Sequence, residues 1–299
     1  MSSILTNSSA ISALQNLTLT QKAMQTVQNQ ISTGLRVATA ADNASYWSIS
    51  TTMKSDNGAL GVVKSALAQG ATMVDTAYNA VTSTIEVMNK IKDNLVLAKQ
   101  PGADLAKIGA DIAQASKQLA SIVDSSAYNG QNWTDGSKTT VSLVASFNRD
   151  SAGATSVGTI DITAKALIAS GTGATAGAGI LEGGTGAAAG TGTNFTSVAV
   201  TAATTGAQLD TMIADADATL AKVQSYAADL GATQSRLTLQ SNFITVLSDS
   251  LTKGVSAMVD ADMNEASTRL QALQTQQQLG VQSLAIANQN AQMILKLFS

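Results

Sequence analysis

A single run of apolar residues, spaced alternately four and three apart, constrains this chain more than any other feature. It passes through Leu209, Ile213, Ala216, Leu220, Val223, Ala227, Leu230, Gln234, Leu237, Ser241, Ile244, Ser248, Leu251 and Val255. Eleven of these fourteen positions are apolar. A half-buried strand would alternate every two residues, so the pattern specifies one long helix with a narrow sticky face. At 1.5 Å per residue the stripe is roughly 70 Å long. A hydrophobic repeat of 3.5 residues against an intrinsic 3.6 implies slight left-handed supercoiling against a partner helix.

Partners are available in the same chain. Leu60, Val63, Leu67, Val74, Val81, Ile85, Met88 and Leu95 form a second seam, which Pro101-Gly102 ends. Leu105, Ile108, Ile112, Ala115, Leu119 and Ile122 form a third. Only one proline occurs in 299 residues, so long helices run without the lost hydrogen bond and clash that an interior proline brings. Aromatic residues, which bury the most area each, make up only 3%. Such a chain builds thin layers of helices packed along their lengths more readily than one thick core.

The middle differs. Residues 134–205 contain 12 of the 23 glycines, in runs such as GTGATAGAG. Three short pieces have β-like alternation: Thr139–Phe147, Val157–Thr163 and Phe195–Thr201. In the first, Val141, Leu143 and Ala145 share one face and Ser142, Val144 and Ser146 the other. The expected fold class is mostly α: a long coiled-coil-like bundle built from the N- and C-terminal regions, with a small β-containing or irregular central insertion.

Both extreme ends are amphipathic. Ala10, Leu17, Met24 and Ile31 recur every seven residues, with Ala13 and Val27 beside them. Leu270, Leu273, Leu284, Ala287, Ala291, Ile294 and Phe298 fall on one three-four lattice, which Gln277 and Gly280 interrupt. The other faces are Gln, Asn, Ser and Thr rather than charges. A helix of this kind is marginal alone in water. It needs the other end, and further copies of the same pair, to cover it. Uncharged amides and hydroxyls suit that, because burying them costs less than burying charge.

Several functions are disfavoured. The chain has no histidine, the usual proton-transfer side chain near neutral pH, and no cysteine for a disulfide, thiol catalyst or thiolate metal site. A serine nucleophile would lack its usual base. The glycine runs lack the Gly-Lys-Ser/Thr ending of a phosphate loop. Asp260 with Asp262, and Asp215 with Asp217, have no third ligand nearby and read as helix starts or solvated segments rather than metal sites. No enzymatic activity, cofactor or metal is expected. With a net charge of −3 and no basic patch, nucleic acid is not an expected partner. No window is apolar enough to span a bilayer, so membrane insertion is not expected. The first positive side chain is Lys22, so the N-terminus does not read as a cleavable secretory signal, and by these rules alone the chain would be cytosolic. Trp47 reads as an anchor packed between helices.

Several stretches resemble one family. Ile4-Leu5-Thr6-Asn7 with Ala10 and Ala13-Leu14 is similar to the opening of bacterial flagellins. Gln30-Ile31-Ser32-Thr33-Gly34-Leu35-Arg36-Val37, followed by Ala40-Ala41-Asp42-Asn43-Ala44, resembles their signature "LSSGLRINSAADDAA". Tyr128-Asn129-Gly130 resembles the "FNG" turn that closes the third helix. Val259–Met263 resembles "IEDADFA", and Leu284 through Leu295 resembles "LAQANQ…VLSLL". The likeness covers roughly residues 1–133 and 207–299.

That resemblance implies a structural subunit that self-assembles into the flagellar filament, and it replaces the cytosolic reading with export, unfolded, through the flagellar type III apparatus. It implies an N-terminal core helix, 1–42, paired with 265–299; a helical bundle of 43–133 and 207–264; and a small variable outer domain, 134–206. The residues expected to carry assembly are Leu14, Leu17, Met24, Val27 and Ile31 at one end and Leu270, Leu273, Leu284, Ala287, Ile294 and Phe298 at the other. Gly34, Arg36 and Asp42 are expected at the bend between core and outer helices, with Arg36 either a solvated helix-end charge or a polar contact between subunits. The implied partners are copies of the chain, the flagellar cap and hook-junction proteins, and the export chaperone and apparatus. A hook–filament junction protein shares such ends, and a secreted coiled-coil effector or translocator is the alternative of another class.

Overall fold

The computed structural model describes residues 7–171, 177–183 and 193–297. Among them are five α-helices, α1 (Ser8–Thr33), α2 (Ala44–Ala98), α3 (Leu105–Ser125), α4 (Gly206–Val259) and α5 (Met263–Leu297), a 3-10 turn at Ile180–Glu182, and two strands, β1 (Thr140–Arg149) and β2 (Thr155–Thr163). The chain divides into two compact units, one of residues 1–58 with 249–299 and the other of 59–248.

The helix boundaries follow from side chains that cap them. The Asn7 carboxamide oxygen accepts from the Ala10 N–H, and Gly34 closes α1 in the left-handed conformation at φ 72°. Asn43 accepts from the Tyr46 N–H at the start of α2. Asp104 caps α3 through the Lys107 N–H, after a turn in which Gly102 takes φ 84°. At α4, Thr205 and Gln208 form a reciprocal box, each side chain accepting from the other's backbone N–H. Asp262 accepts from the Asn264 and Glu265 N–H groups at the start of α5. These caps satisfy donors that would otherwise be left unpaired.

In the unit of residues 59–248 the α4 seam behaves as its spacing predicts. Leu209, Ala216, Val223, Leu230, Leu237 and Ile244, seven apart, are all buried. On α2, Leu60, Val63, Leu67, Val74, Val81, Met88 and Leu95 are buried, joined by Ile91, while Ile85 is only half-buried. Ile108, Ile112, Leu119 and Val123 form the buried stripe of α3. Polar bonds fix an antiparallel register between α2 and α4. Lys92 pairs with Asp217 at 2.5 Å, Lys99 pairs with Asp210, and Gln234 donates to Asp75. Seven residues forward on α2 match seven backward on α4, as flanking positions of a heptad seam should.

The first two β-like pieces form an antiparallel hairpin, with an irregularity between Val144 and Ser146. Leu143 and Ala145 face inward, and Gln240 of α4 donates to the Ala145 carbonyl at 2.9 Å. Leu143 fills the space over Gly70, where an added Cβ would lie 2.6 Å from its Cδ1. The third piece, Phe195–Thr201, is not a strand. Phe195, Val198 and Val200 are buried, but a turn at 195–197 breaks the alternation after Phe195, and only Val198 and Val200 keep the period of two. The Val200 carbonyl lies where a Cβ on Gly109 would be, 2.0 Å away, so α3 carries a glycine at that point. Alternation reports which side chains point inward; it does not supply a neighbouring strand.

Lys165 ties the chain after the hairpin to α4. Its ammonium lies 5.7 Å from the centroid of the Tyr226 ring and 2.7 Å from Asp229. Burial pushes the Tyr226 phenol above its ordinary pKa, and its hydroxyl donates to the Trp133 carbonyl at 3.3 Å.

Candidate assembly interface

Helices α1 and α5 pair antiparallel. Asn7 Nδ2 donates to the Ala287 carbonyl at 3.0 Å, joining the start of one helix to a point near the end of the other. Leu17 lies against Gly280, where an added Cβ would be 3.3 Å from Leu17 Cδ1. Farther along, Ala23, Val27 and Gln30 share a groove with Arg269, Ala272 and Leu273. The seam therefore runs through Ala13, Leu17, Met24, Val27 and Ile31 on α1, and through Ala266, Leu270, Leu273, Gln277, Gly280, Leu284 and Ala287 on α5. All are buried or half-buried.

Eight of the expected assembly residues are thus brought together: Leu17, Met24, Val27, Ile31, Leu270, Leu273, Leu284 and Ala287. Leu14 is not among them; it is 54% exposed and turned away from the seam. The side chain of Ile294 and the whole of Phe298 lie outside the described residues. Gln277 and Gly280 looked like interruptions in the sequence, yet both occupy seam positions. Their three-four spacing was the available signal, and it outweighs their polarity or lack of a side chain.

The pair is incompletely covered. Along its described seam only Val27, at 4%, and Ala266, at 6%, are fully buried. Meanwhile Ile11, Leu14 and Leu19 on α1, and Leu279, Val281 and Ile286 on α5, are 50% to 63% exposed. At about 100° per residue, Leu14 stands roughly a right angle to one side of the α1 seam, Leu19 well round the other side, and Ile11 nearly opposite. On α5, Val281 flanks one side, while Leu279 and Ile286 lie on the other. Apolar side chains thus point several ways from each helix. Charge is nearly absent from these faces: Lys22 is the one charged residue of α1, and α5 has none between Arg269 and Lys296.

The bend residues form a joint between the two connecting segments. The N–H groups of Arg36 and Val37 both donate to the Val259 carbonyl, at 2.7 and 3.2 Å, and Ala261 N–H donates to the Gly34 carbonyl at 2.9 Å. Leu35 and Asp260 make an isolated antiparallel bridge. The Arg36 guanidinium donates to the Met258 carbonyl at 3.0 Å. It therefore complements the negative end of α4, not the end of its own helix α1. Val37, Val255 and Val259 are buried beneath, with Leu35, Met53 and Met258 packed around them. Asp42 holds the loop before α2: one carboxylate oxygen accepts from the N–H groups of Ala38 and Thr39 and from the Thr39 hydroxyl. The Thr39 N–H, then its hydroxyl, keep this carboxyl below its ordinary pKa. The carbonyls of Met258 and Val259 have no sequence signal, since any residue presents one.

Trp47 does not anchor helices. It is 39% exposed, beside Tyr46 at 44% and Ile49 at 50%; the buried tryptophan is Trp133, at 3%. At the start of a helix, fewer neighbouring turns are available to cover a large ring. Asp215 accepts from the Thr193 N–H and hydroxyl, Asp217 pairs with Lys92, and Asp262 caps α5. The carboxylates of Asp215, Asp217 and Asp262 thus each serve a separate structural task. Among the described residues no helix is long and apolar enough to cross a membrane.

The sequence has clear relatives. The bacterial flagellin N-terminal helical region matches residues 4–139, and the bacterial flagellin C-terminal helical region matches residues 213–298. Flagellin C of Rhizobium meliloti (strain 1021) is 44% identical over 319 residues, covering 100% of this chain and 99% of that protein. A flagellin of Brucella melitensis biotype 1 is 42% identical over 299 residues, with 100% and 99% covered. A crystal structure of Bacillus cereus flagellin aligns with a TM-score of 0.41 at 17% identity, covering 59% of this chain and 86% of that one. The hairpin and the glycine-rich runs of the sequence fall between the two matched regions. With both helical ends matched and full-length relatives above the 40% level, the chain belongs to the bacterial flagellin family, the structural subunits of the extracellular flagellar filament.

Proposed function

We propose that this chain polymerises with itself into the flagellar filament through the α1–α5 pair. The observation that supports this most is the six exposed apolar residues pointing in several directions from a nearly uncharged helix pair. A pair meant to stand alone would place its apolar residues on the shared seam and charges outside. Apolar residues on several sides need several neighbours. Repetition of one heterologous contact, which does not close on itself, supplies them in a helical array.

In the free chain each terminal helix gains little from its partner, so both ends are marginal and become ordered as copies pack around them. The joint at Gly34, Arg36 and Asp42 ties together the two segments that lead out of the pair. The subunit acts structurally and carries out no catalysis. It is exported unfolded through the flagellar type III apparatus; a chain without disulfides, and with one proline to isomerise slowly, suits such a passage. An export chaperone and apparatus, the cap protein and the hook-junction proteins are its further partners.

The test is truncation. Chains lacking residues 1–40 or 265–299 should fail to elongate filament seeds, seen by electron microscopy, while retaining the circular dichroism of a folded bundle. A truncated chain that polymerised as well as the full one would overturn the proposal.

A further inference from the structure

The chain contains two Asn-Gly pairs, Asn57-Gly58 and Asn129-Gly130, and the fold treats them in opposite ways. Asn-Gly is the dipeptide in which a backbone nitrogen most easily attacks the preceding carboxamide, because glycine presents no side chain to obstruct the approach. Asn57 and Gly58 lie inside α2, where the Gly58 N–H is committed to the helical ladder. The Asn57 carboxamide is also held, with Nδ2 donating to Thr252 Oγ1 at 3.1 Å. Asn129 and Gly130 form instead the two central residues of a tight turn, at φ 49° and 74°. Tyr128 and Gln131 close that turn with reciprocal N–H to carbonyl bonds of 2.9 Å. Both central residues are exposed, and among the described residues no hydrogen bond engages the Asn129 carboxamide or the Gly130 N–H.

We infer that Asn129 is a site of spontaneous, conformation-selected deamidation in the folded protein, and that Asn57 is shielded from the same reaction. The Gly130 nitrogen loses its proton to solvent base and bonds to Asn129 Cγ. The Cγ–N bond of the carboxamide breaks and ammonia leaves, giving a five-membered succinimide. Water then opens either carbonyl, yielding aspartate or isoaspartate, with no oxidant or reductant involved. The left-handed turn has to open for the nitrogen to reach Cγ, and a two-residue surface turn opens locally, whereas freeing Gly58 requires unwinding the interior of a helix. The isoaspartyl product lengthens the backbone within the turn, so the reciprocal Tyr128–Gln131 pair cannot persist. This turn leads directly into a buried cluster in which Asn132 Oδ1 accepts from the Ser126 hydroxyl and the Thr134 N–H, and the product loosens the anchor of that cluster.

The experiment incubates the full-length monomeric protein in mildly alkaline buffer, with and without denaturant, and follows both sites by peptide mapping and mass spectrometry. In the folded protein, residue 129 should acquire the amide-to-acid mass change, as separable aspartyl and isoaspartyl peptides, at least about tenfold faster than residue 57. In denaturant the two sites should react at similar rates. Equal rates in the folded protein, or no reaction at 129, would overturn the inference. So would an equally large preference for 129 in denaturant, since sequence neighbours and not the fold would then set it.

Discussion

Leu237 and Leu239 lie two residues apart on α4, and the structure requires them to respond oppositely to the same truncation. At about 100° per residue they point in nearly opposite directions. Leu237 is 1% exposed and Leu239 is 70% exposed. Replacing Leu237 with alanine removes buried methyl groups and leaves a cavity, a change that costs about 3 kcal/mol in well-packed cores. For a unit of this size, about 2–4 °C of melting temperature follows each kcal/mol, so Leu237→Ala should melt roughly 6–12 °C lower. Leu239→Ala removes a side chain already in water and should stay within about 0.5 kcal/mol of the parent. The assay is urea and thermal unfolding of the monomer by circular dichroism at 222 nm, a wavelength set by the helical amide band. Similar losses in the two variants, or a larger loss for Leu239→Ala, would refute the assignment of the α4 seam.

Three other substitutions or conditions have defined outcomes. Gly280→Ala removes a mid-helix glycine, worth about 0.5–1 kcal/mol in α5, and its methyl meets only the flexible end of Leu17, so the monomer should gain helical signal; a loss of signal would show that Leu17 cannot yield. Asp42 has a depressed pKa in the fold, so its contribution to the connector is present above the ordinary carboxylate pKa and is lost as pH falls through the lower, folded value. The Thr39 amide resonance should move with that titration and should not do so in Asp42→Asn; an amide shift that stays flat through the acid range would contradict it. Because the chain has no histidine or cysteine, seeded elongation should vary little between about pH 6 and 8, and a steep change measured by light scattering there would contradict this.

The helical part of the fold was legible because one long period repeats many times. Leu209 to Ile244 carried the α4 seam through two polar interruptions, and Pro101-Gly102 marked the α2–α3 break. The hairpin was legible from two adjacent alternating segments. Phe195–Thr201 was not, because a turn at its start puts Phe195 out of phase with Val198 and Val200, and apolar residues alone do not reveal where a short run bends. At the terminal pair, three-four spacing found most of the seam. Leu14 lies beside the stripe and off the seam, exposed in the single chain. Gln277 and Gly280 were undervalued for the opposite reason: register, not apolarity, puts them on the seam. The joint was legible as a bend, from Gly34 and Asp42. Its bonding was not, since the Arg36 guanidinium and the Arg36 and Val37 N–H groups bind carbonyls more than 200 residues away in the chain.

Hydrogen exchange of residues 8–33 and 263–289, read by mass spectrometry in the monomer and in the polymer, tests most directly whether the terminal helices depend on neighbouring copies. The expected result is rapid exchange of both segments in the monomer, at rates far above those of the α4 seam around Leu230, and strong protection after polymerisation. Termini as firmly protected in the lone subunit as that seam would contradict the account.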